Sequence, residues 1–481
     1  LVVGGGIAGL AAAHRLQRAA EAAGLRLQVT LLEREGRLGG KILTEQAGQF
    51  TLEAGPDAFV STKPWAVQLC RELGLEARLL GANLAQRRVY VLRGGKLQRL
   101  PDGLAMMVPA RLGPLLASPL LSPRAKARLG LDLVLPARGG EADESLGAFL
   151  SRRLGRQAYE RLIEPLMSGI YAGDGDRLSL QATFPFLREW ERLYGSLTRG
   201  AMALARARGR NGRAEAGRSI FLTLTGGLGE LVRSLQAALG GAQLLGVAAA
   251  RILRDGLAYR VQTEAGDFRA EALILATPAF VSAELLHSLR PELSSLLERI
   301  EYVSSATVSL AYSQEELPRP LDGHGYVIPR GEGRQALACT WTSTKFPHRA
   351  PQGLALLRVF LGRAGQPLAA GTGPEDLIAW ARAELRATLG VEAEPRLARA
   401  YLWPRSMPQY NLGHPERLGL IQSELAQLPG LFLAGAGYQG VGIPDCIHSG
   451  QTAAEAALQH LLGVSPREPE AAPPLGGARP Q

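Results

Sequence analysis

The chain has 481 residues, 46% of them hydrophobic, a formal net charge of +10 and three cysteines. That length allows two or three domains with substantial cores. The cysteines, Cys70, Cys339 and Cys446, lie too far apart for a zinc site or a disulfide framework. The positive charge is nearly all arginine in a background rich in Ala, Gly, Leu and Pro, a compositional bias rather than a nucleic-acid footprint, so no nucleic-acid partner is expected. A carboxylated ligand or an anionic surface remains compatible with it. No stretch of about eighteen apolar residues is free of charge and proline, and a reducing, cytoplasmic setting is the expectation. The chain opens inside a strand rather than a signal peptide, so a few trimmed N-terminal residues are also expected.

Leu1, Val2 and Val3 form an apolar run that stops at Gly4-Gly5-Gly6-Ile7-Ala8-Gly9, and Leu10 to Ala23 is an alanine-rich helical pattern. Strand, glycine turn and helix in that order predict a dinucleotide-binding fold. Gly4 permits the tight turn, Gly6 lets backbone approach a pyrophosphate, Gly9 lets helix pack on strand, and the helix start at Ile7 and Ala8 offers free N–H groups to phosphate. A second apolar strand, Leu27 to Leu32, ends in Glu33, where a carboxylate is expected on ribose hydroxyls, followed by Arg34. Next come Arg37-Leu38-Gly39-Gly40-Lys41 and Leu52-Glu53-Ala54-Gly55-Pro56-Asp57.

The run Arg87 to Lys96 is hairpin-like, and Gly103 to Pro136 is apolar but broken by four prolines and dotted with Arg111, Arg124, Lys126 and Arg128. The arginine-rich stretch from Arg199 to Arg218 is expected to be a mobile, solvated loop. Ser219 to Thr225 is a predicted strand, followed by a helix near Glu230 to Leu239 and strands near Gln243 to Val247, Val247 to Leu253, Tyr259 to Thr263 and Ala272 to Ala276. At the far end Leu431 to Ala434 is a buried strand. The loop Gly435 to Ile443 follows, and Pro444 stands in the first turn of a helix reaching about Leu462. That helix would aim its N-terminus at whatever the loop cradles. Asp445 is read as a helix-terminal carboxylate or a cofactor contact and Cys446 as a small buried residue; residues 464–481 form a tail too polar to order itself.

The pattern Glu33-x3-Arg37-x-Gly39-Gly40 resembles the flavin-containing amine oxidase superfamily. Further segments resemble the protoporphyrinogen/coproporphyrinogen oxidases within it: Glu53 to Asp57, Tyr90-Val91-Leu92, Leu166 to Asp174, Ala338 to Ser343, Met407 to His414 and Gly440 to Ile447. The Ala-Cys-Thr-Trp-Thr and Gly-Val-Gly-Ile-Pro-Asp-Cys-Ile stretches are more similar to the bacterial coproporphyrinogen III oxidases. The resemblance implies an α/β protein with a Rossmann-type FAD-binding domain, a mixed-sheet substrate domain and a helical lobe. Its expected divisions are FAD-binding over 1–85, 200–290 and 416–463, substrate domain over 86–100 and 291–415, and lobe over 101–199.

For FAD the resemblance implies contacts from Gly4, Gly6, Ile7, Ala8, Gly9, Glu33, Arg34, Arg37, Gly39, Gly40, Lys41, Gly55, Pro56, Asp57, Val247, Gly435, Gly440, Val441, Gly442 and Ile443, with Val247 expected on the adenine. For substrate it implies a carboxylate clamp at Arg88 and a pocket wall at Gly169 and Tyr171. The implied reaction is oxidation of coproporphyrinogen III to coproporphyrin III in haem biosynthesis, six electrons in three flavin cycles with molecular oxygen as acceptor. Aromatisation drives such a reaction, so little acid–base help is needed. No triad, paired carboxylates or metal-ligand spacing is present; no catalytic base and no metal site are assigned, and His324, His348 and His414 are taken as structural. Peripheral contact with the inner face of the cell membrane and handover to the next haem-pathway enzyme are compatible with this. Protoporphyrinogen IX oxidation, an amine oxidase or desaturase on the same scaffold, and a non-catalytic FAD-binding module stay open as alternatives.

Overall fold

The computed structural model of the chain describes residues 1–140, 142–215, 219–240 and 242–463. The apolar first strand, Val2–Val3, lies at the centre of a five-stranded parallel sheet. Thr30–Glu33 and then Ala242–Leu245 flank it on one side, Leu273–Leu275 and then Leu431–Leu433 on the other. Strands from the two ends and the middle of the chain thus meet in one sheet, which brings the far glycine loop beside the first one. The second strand starts at Thr30 rather than Leu27, because its neighbours Val2–Val3 and Ala242–Leu245 offer backbone partners only from Thr30 onward.

The helices Ile7–Ala22 and Ile443–Leu461 pack against each other on small residues. A Cβ at Gly450 would lie 2.1 Å from the Ala8 carbonyl oxygen, so only glycine permits this approach. An antiparallel meander, Ala249–Asp255, Ala258–Thr263 and Gly266–Ala270, extends this domain.

A seven-stranded mixed sheet forms the second body. Its order is Leu397–Pro408, Tyr302–Ser313, Leu354–Leu361, Ala336–Trp341, Gly323–Val327, Arg88–Arg93 and Lys96–Arg99, antiparallel except where Gly323–Val327 runs parallel to Arg88–Arg93. The helix Pro374–Leu389 contributes Leu377, Ala381 and Leu385 to its core.

The third body is the helical lobe, with its own core around Phe149, Tyr159, Leu187 and Trp190. At its centre Arg153 is fully buried, 2.6 Å from Asp132, and donates to the carbonyls of Leu135, Pro136 and Gly195. Such a charge survives burial only because every donor has a partner. The lobe runs past residue 199. The stretch expected to be a loop is helical over Leu197–Glu215 and packs on Pro185–Tyr194, in keeping with the helix propensity of its alanines and arginines. Arg218 and the tail 464–481 lie outside the described residues. Among the described residues no helix is long and apolar enough to cross a membrane.

Candidate cofactor and substrate cavity

A single cavity of about 2900 Å³ runs between the three bodies. Its first wall is glycine backbone. Gly4 has φ +107°, and a Cβ there would lie 2.7 Å from the Ala276 oxygen; one at Gly9 would lie 1.9 Å from the Gly4 oxygen. Gly9 therefore packs behind the wall, where the structure requires it. Gly6 differs: a Cβ there would meet nothing within 4 Å, because the residue borders open cavity. Gly6, Ile7 and Ala8 line it at the start of the first helix, and that helix has no side-chain cap, so its first N–H groups are free.

Glu33 stands at the end of the second strand, 9% exposed, where both its oxygens accept backbone N–H groups, from Gly5 at 2.7 Å and Glu35 at 2.8 Å. The carboxylate is thereby held at the cavity edge with lone pairs left for hydroxyl donors. Arg34 lines the cavity but is exposed and pairs with Glu35. Val247 also lines it, yet its N–H donates to the Glu33 carbonyl at 2.9 Å, so only its C=O is available to an adenine. The Arg37 guanidinium donates to the carbonyls of Gly40 at 2.7 Å, Leu38 and Ile42. It fastens the Gly39-Gly40 turn, both of whose residues have positive φ, while it lines the cavity.

Lys41 is half-buried on the cavity wall. Its ammonium donates to the Ser406 carbonyl, and burial pushes its pKa down against the opposing pull of Cys446. Gly55 abuts the same lysine, since a Cβ there would lie 1.8 Å from the Lys41 oxygen; Pro56 and Asp57 continue the wall. The far loop completes it with Gly435, Gly440, Val441, Gly442 and Ile443. Gly442 caps the last helix without a side-chain acceptor, so a second free helix N-terminus opens on the cavity. Asp445, in its first turn, pairs with Lys63 at 2.5 Å. Cys446 is buried and its thiol is pushed up to about 12, mainly by burial, which leaves it inert as a thiolate. Two uncapped helix N-termini, a glycine bordering open space and a buried carboxylate at a strand end fit a dinucleotide with a pyrophosphate and an anionic ring edge.

On the opposite side the lobe supplies Gly169 and Tyr171. Gly169 meets nothing within 4 Å of an added Cβ, whereas Tyr171 is 6% exposed and packs edge-on against Phe184 with centroids 5.8 Å apart. Burial holds its hydroxyl well above the usual range. Ala172 then turns into left-handed backbone, φ +48°. Three consecutive carbonyls of this turn are held from the mixed-sheet body: Tyr171 by Gln409 Nε2 at 3.0 Å, Ala172 by the Ala364 N–H at 2.8 Å, and Gly173 by Arg330 Nη2 at 3.1 Å.

Arg88, expected as a carboxylate clamp, is placed elsewhere. Its guanidinium is exposed and paired with Asp322, which also accepts from the Tyr90 hydroxyl. Strand alternation sends Arg88 and Tyr90 to one face, and Val89 is the residue that lines the cavity. The cations that do line it include Arg138, Arg188 and Arg192 on the lobe and Lys63, Lys345 and Arg358 elsewhere. None of these six was singled out from sequence. The available signal was a lone charge inside an apolar strand at Arg358 and the scarcity of lysine at Lys63 and Lys345.

The chain belongs to the flavin containing amine oxidoreductase family, which matches residues 7–458, and it is an FAD-dependent oxidoreductase. Within that family it is 37% identical to the coproporphyrinogen III oxidase of Bacillus subtilis (strain 168), over 96% of this chain and 98% of that one. It is 30% identical to protoporphyrinogen oxidase 1, chloroplastic, of Arabidopsis thaliana, over 93% of this chain and 85% of that one. A crystal structure from Exiguobacterium sp. 255-15, provisionally assigned as a protoporphyrinogen oxidase, superposes with a TM-score of 0.85 at 34% identity, covering 96% of this chain and 98% of that one.

Proposed function

We propose that this protein oxidises coproporphyrinogen III to coproporphyrin III, a six-electron step of haem formation, with FAD as its cofactor. Similarity to a coproporphyrinogen III oxidase over nearly the whole of both chains carries the proposal. When bound, FAD supplies two-electron redox chemistry, and the macrocycle is then oxidised in three rounds. With oxygen as the acceptor, three O₂ take up the six electrons and six protons as three H₂O₂.

The protein's own part is positioning. Gly6 and Gly40 admit a pyrophosphate, Glu33 offers acceptors to ribose hydroxyls, and the helix beginning at Ile443 directs its positive end into the cavity. Gly169 leaves room for a flat macrocycle against Tyr171. For the propionates, the lobe arginines Arg188 and Arg192, one helical turn apart on Pro185–Tyr194, are the proposed partners. Arg188 is held 2.8 Å from Glu144, while Arg192 has no carboxylate within 4.0 Å among the described residues.

Anaerobic mixing of the FAD-loaded protein with coproporphyrinogen III or protoporphyrinogen IX, followed by readmission of oxygen, tests the substrate. Faster flavin bleaching with coproporphyrinogen III and growth of coproporphyrin fluorescence are expected. Preference for protoporphyrinogen IX is the second reading, favoured by the plant relative, and bleaching by neither would overturn both. The proposal includes peripheral contact of the lobe with the inner face of the cell membrane, where Leu116, Leu131 and Val134 are exposed near Arg124 and Lys126. It also includes handover of the product to the next enzyme. Sedimentation with anionic liposomes, lost in Leu116→Ser/Val134→Ser, checks the membrane contact.

A further inference from the structure

Arg358 sits in the middle of Leu354–Leu361, an otherwise apolar strand, and is 2% exposed. Burying a guanidinium is strongly unfavourable unless its charge is partnered. No carboxylate is within salt-bridge distance of it among the described residues. Its Nη2 donates to the carbonyl of Ala54 at 3.3 Å and to that of Gly55, its Nε has no partner, and the group lies 4.7 Å from the centroid of Phe360. The Ala54 carbonyl also accepts from Thr307 Oγ1 at 2.7 Å and Trp403 Nε1 at 2.9 Å. Donors from three neighbouring strands therefore converge on the turn that presents Gly55, Pro56 and Asp57 to the cavity, and Arg358 itself lines that cavity.

The charges around this turn do not cancel. Arg349 is 3.1 Å from Glu53 and Lys345 is 3.0 Å from Asp57, so each carboxylate already has its own cation and Arg358 is left without one of its own. Burial by itself would raise the Asp57 carboxyl, but Lys345, Arg358 and Arg349 together hold it well below its usual range, so it is ionised. Burial pushes Glu53 up against the pull of Arg349, and a proton on Glu53 would only enlarge the positive excess.

We infer that Arg358 supplies an uncompensated buried positive charge at the Gly55–Asp57 wall, where it stabilises the negative charge a bound flavin acquires on two-electron reduction and so raises the flavin midpoint potential. This rests on the assignment of the Gly55–Asp57 wall to FAD. Field from a fixed, water-excluded charge acts on the cofactor without reorganisation during the reaction.

The test is the midpoint potential of protein-bound FAD, measured spectroscopically in the wild type, Arg358→Met, Arg358→Lys and Asp57→Asn. The Met variant is expected to disfavour reduction by about tenfold, which is about 30 mV for a two-electron couple. The Lys variant keeps the charge and should stay near the wild type, and Asp57→Asn should shift the potential upward. Wild-type protein that takes up no FAD would overturn the cofactor assignment and the inference with it. An FAD-loaded Met variant with unchanged potential overturns the inference alone, as does a Lys variant that fails to restore it, because the effect would then be packing rather than charge. If the Met variant does not fold, Asp57→Asn decides: a raised potential supports the inference, and an unchanged or lowered one overturns it.

Discussion

Around Gly4–Gly9 and Gly435–Gly442 the cavity wall is backbone, whereas along Gly169–Gly173 it is a turn fastened from behind by Gln409, Arg330 and Ala364. The first wall needs only local sequence: a strand end, glycines without Cβ atoms, and a helix start whose N–H groups are free. The second depends on partners more than 150 residues away in the chain. A backbone wall fails when a side chain is added to it, and a fastened wall fails when a fastener is removed. Substitutions in the two regions should therefore act on different measurements.

Gly6→Val is expected to have the largest effect. Gly6 has φ −70° and ψ 176°, which any residue adopts, and its Cβ would meet no protein atom within 4 Å. The protein should fold, but the added side chain would occupy the space of the pyrophosphate, and FAD affinity should fall by roughly a hundredfold, about 2.8 kcal/mol. Flavin absorbance after gel filtration, with circular dichroism as the folding control, measures it. A yellow Gly6→Val protein would mean that this wall does not face the cofactor.

Gln409→Leu comes next and addresses the fastened wall. Gln409 Nε2 donates to the carbonyls of Tyr171, Met407 and Pro408, so its loss leaves buried acceptors bare, at about 1–3 kcal/mol. With Tyr171 released, KM for the porphyrinogen should rise by roughly tenfold, the equivalent of 1.4 kcal/mol, with FAD content unchanged. Loss of FAD along with the rise in KM would show that the two walls are not independent.

His414 joins the two regions. Its ring stacks on Tyr410 with centroids 4.2 Å apart, and its Nε2 donates to the carbonyl of Tyr438 in the far glycine loop at 3.0 Å. Burial pushes its pKa below the ordinary value of 6.5, so the folded protein holds it neutral. The stability this neutral form contributes is complete above about pH 6.5 and is lost as pH falls, because the unfolded chain then binds the proton more readily. The Tm should be level from neutral to mildly alkaline pH and decline on acidification, more shallowly in His414→Gln. An identical decline in that variant would assign the effect to other buried histidines such as His14, whose pKa burial also lowers.

The glycine motifs were legible in the sequence because tight turns and close approach depend on residues adjacent in the chain. The roles of individual side chains were less so. Arg37 lines the cavity while it holds the carbonyls of its own turn, and the Val247 N–H is taken by the Glu33 carbonyl. Arg358, Lys345 and Gln409 acquire meaning only from partners more than two hundred residues away in the chain. The stretch from Arg199, expected to be a loop as far as Arg218, is helical to Glu215, because its helix propensity is joined by packing on Pro185–Tyr194, which is tertiary information.

Arg88→Ala should produce the smallest change, and it sharpens the comparison for that reason. By residue type Arg88 suited a carboxylate clamp as well as any arginine in the chain, but a strand places successive side chains on opposite faces, and the pairing of Arg88–Arg93 with Gly323–Val327 includes a register shift next to Arg88. Which face Arg88 takes is thus fixed by a neighbour more than two hundred residues away rather than by its own sequence. With its guanidinium on Asp322, outside the cavity wall, its removal should leave KM and FAD content within roughly twofold of the wild type, as for other exposed ion pairs. Arg192→Ala, on the lobe side of the cavity, should raise KM for a propionate-bearing porphyrinogen. A large KM effect from Arg88 and none from Arg192 would mean that the substrate enters along the outer face of the mixed sheet instead of past the lobe.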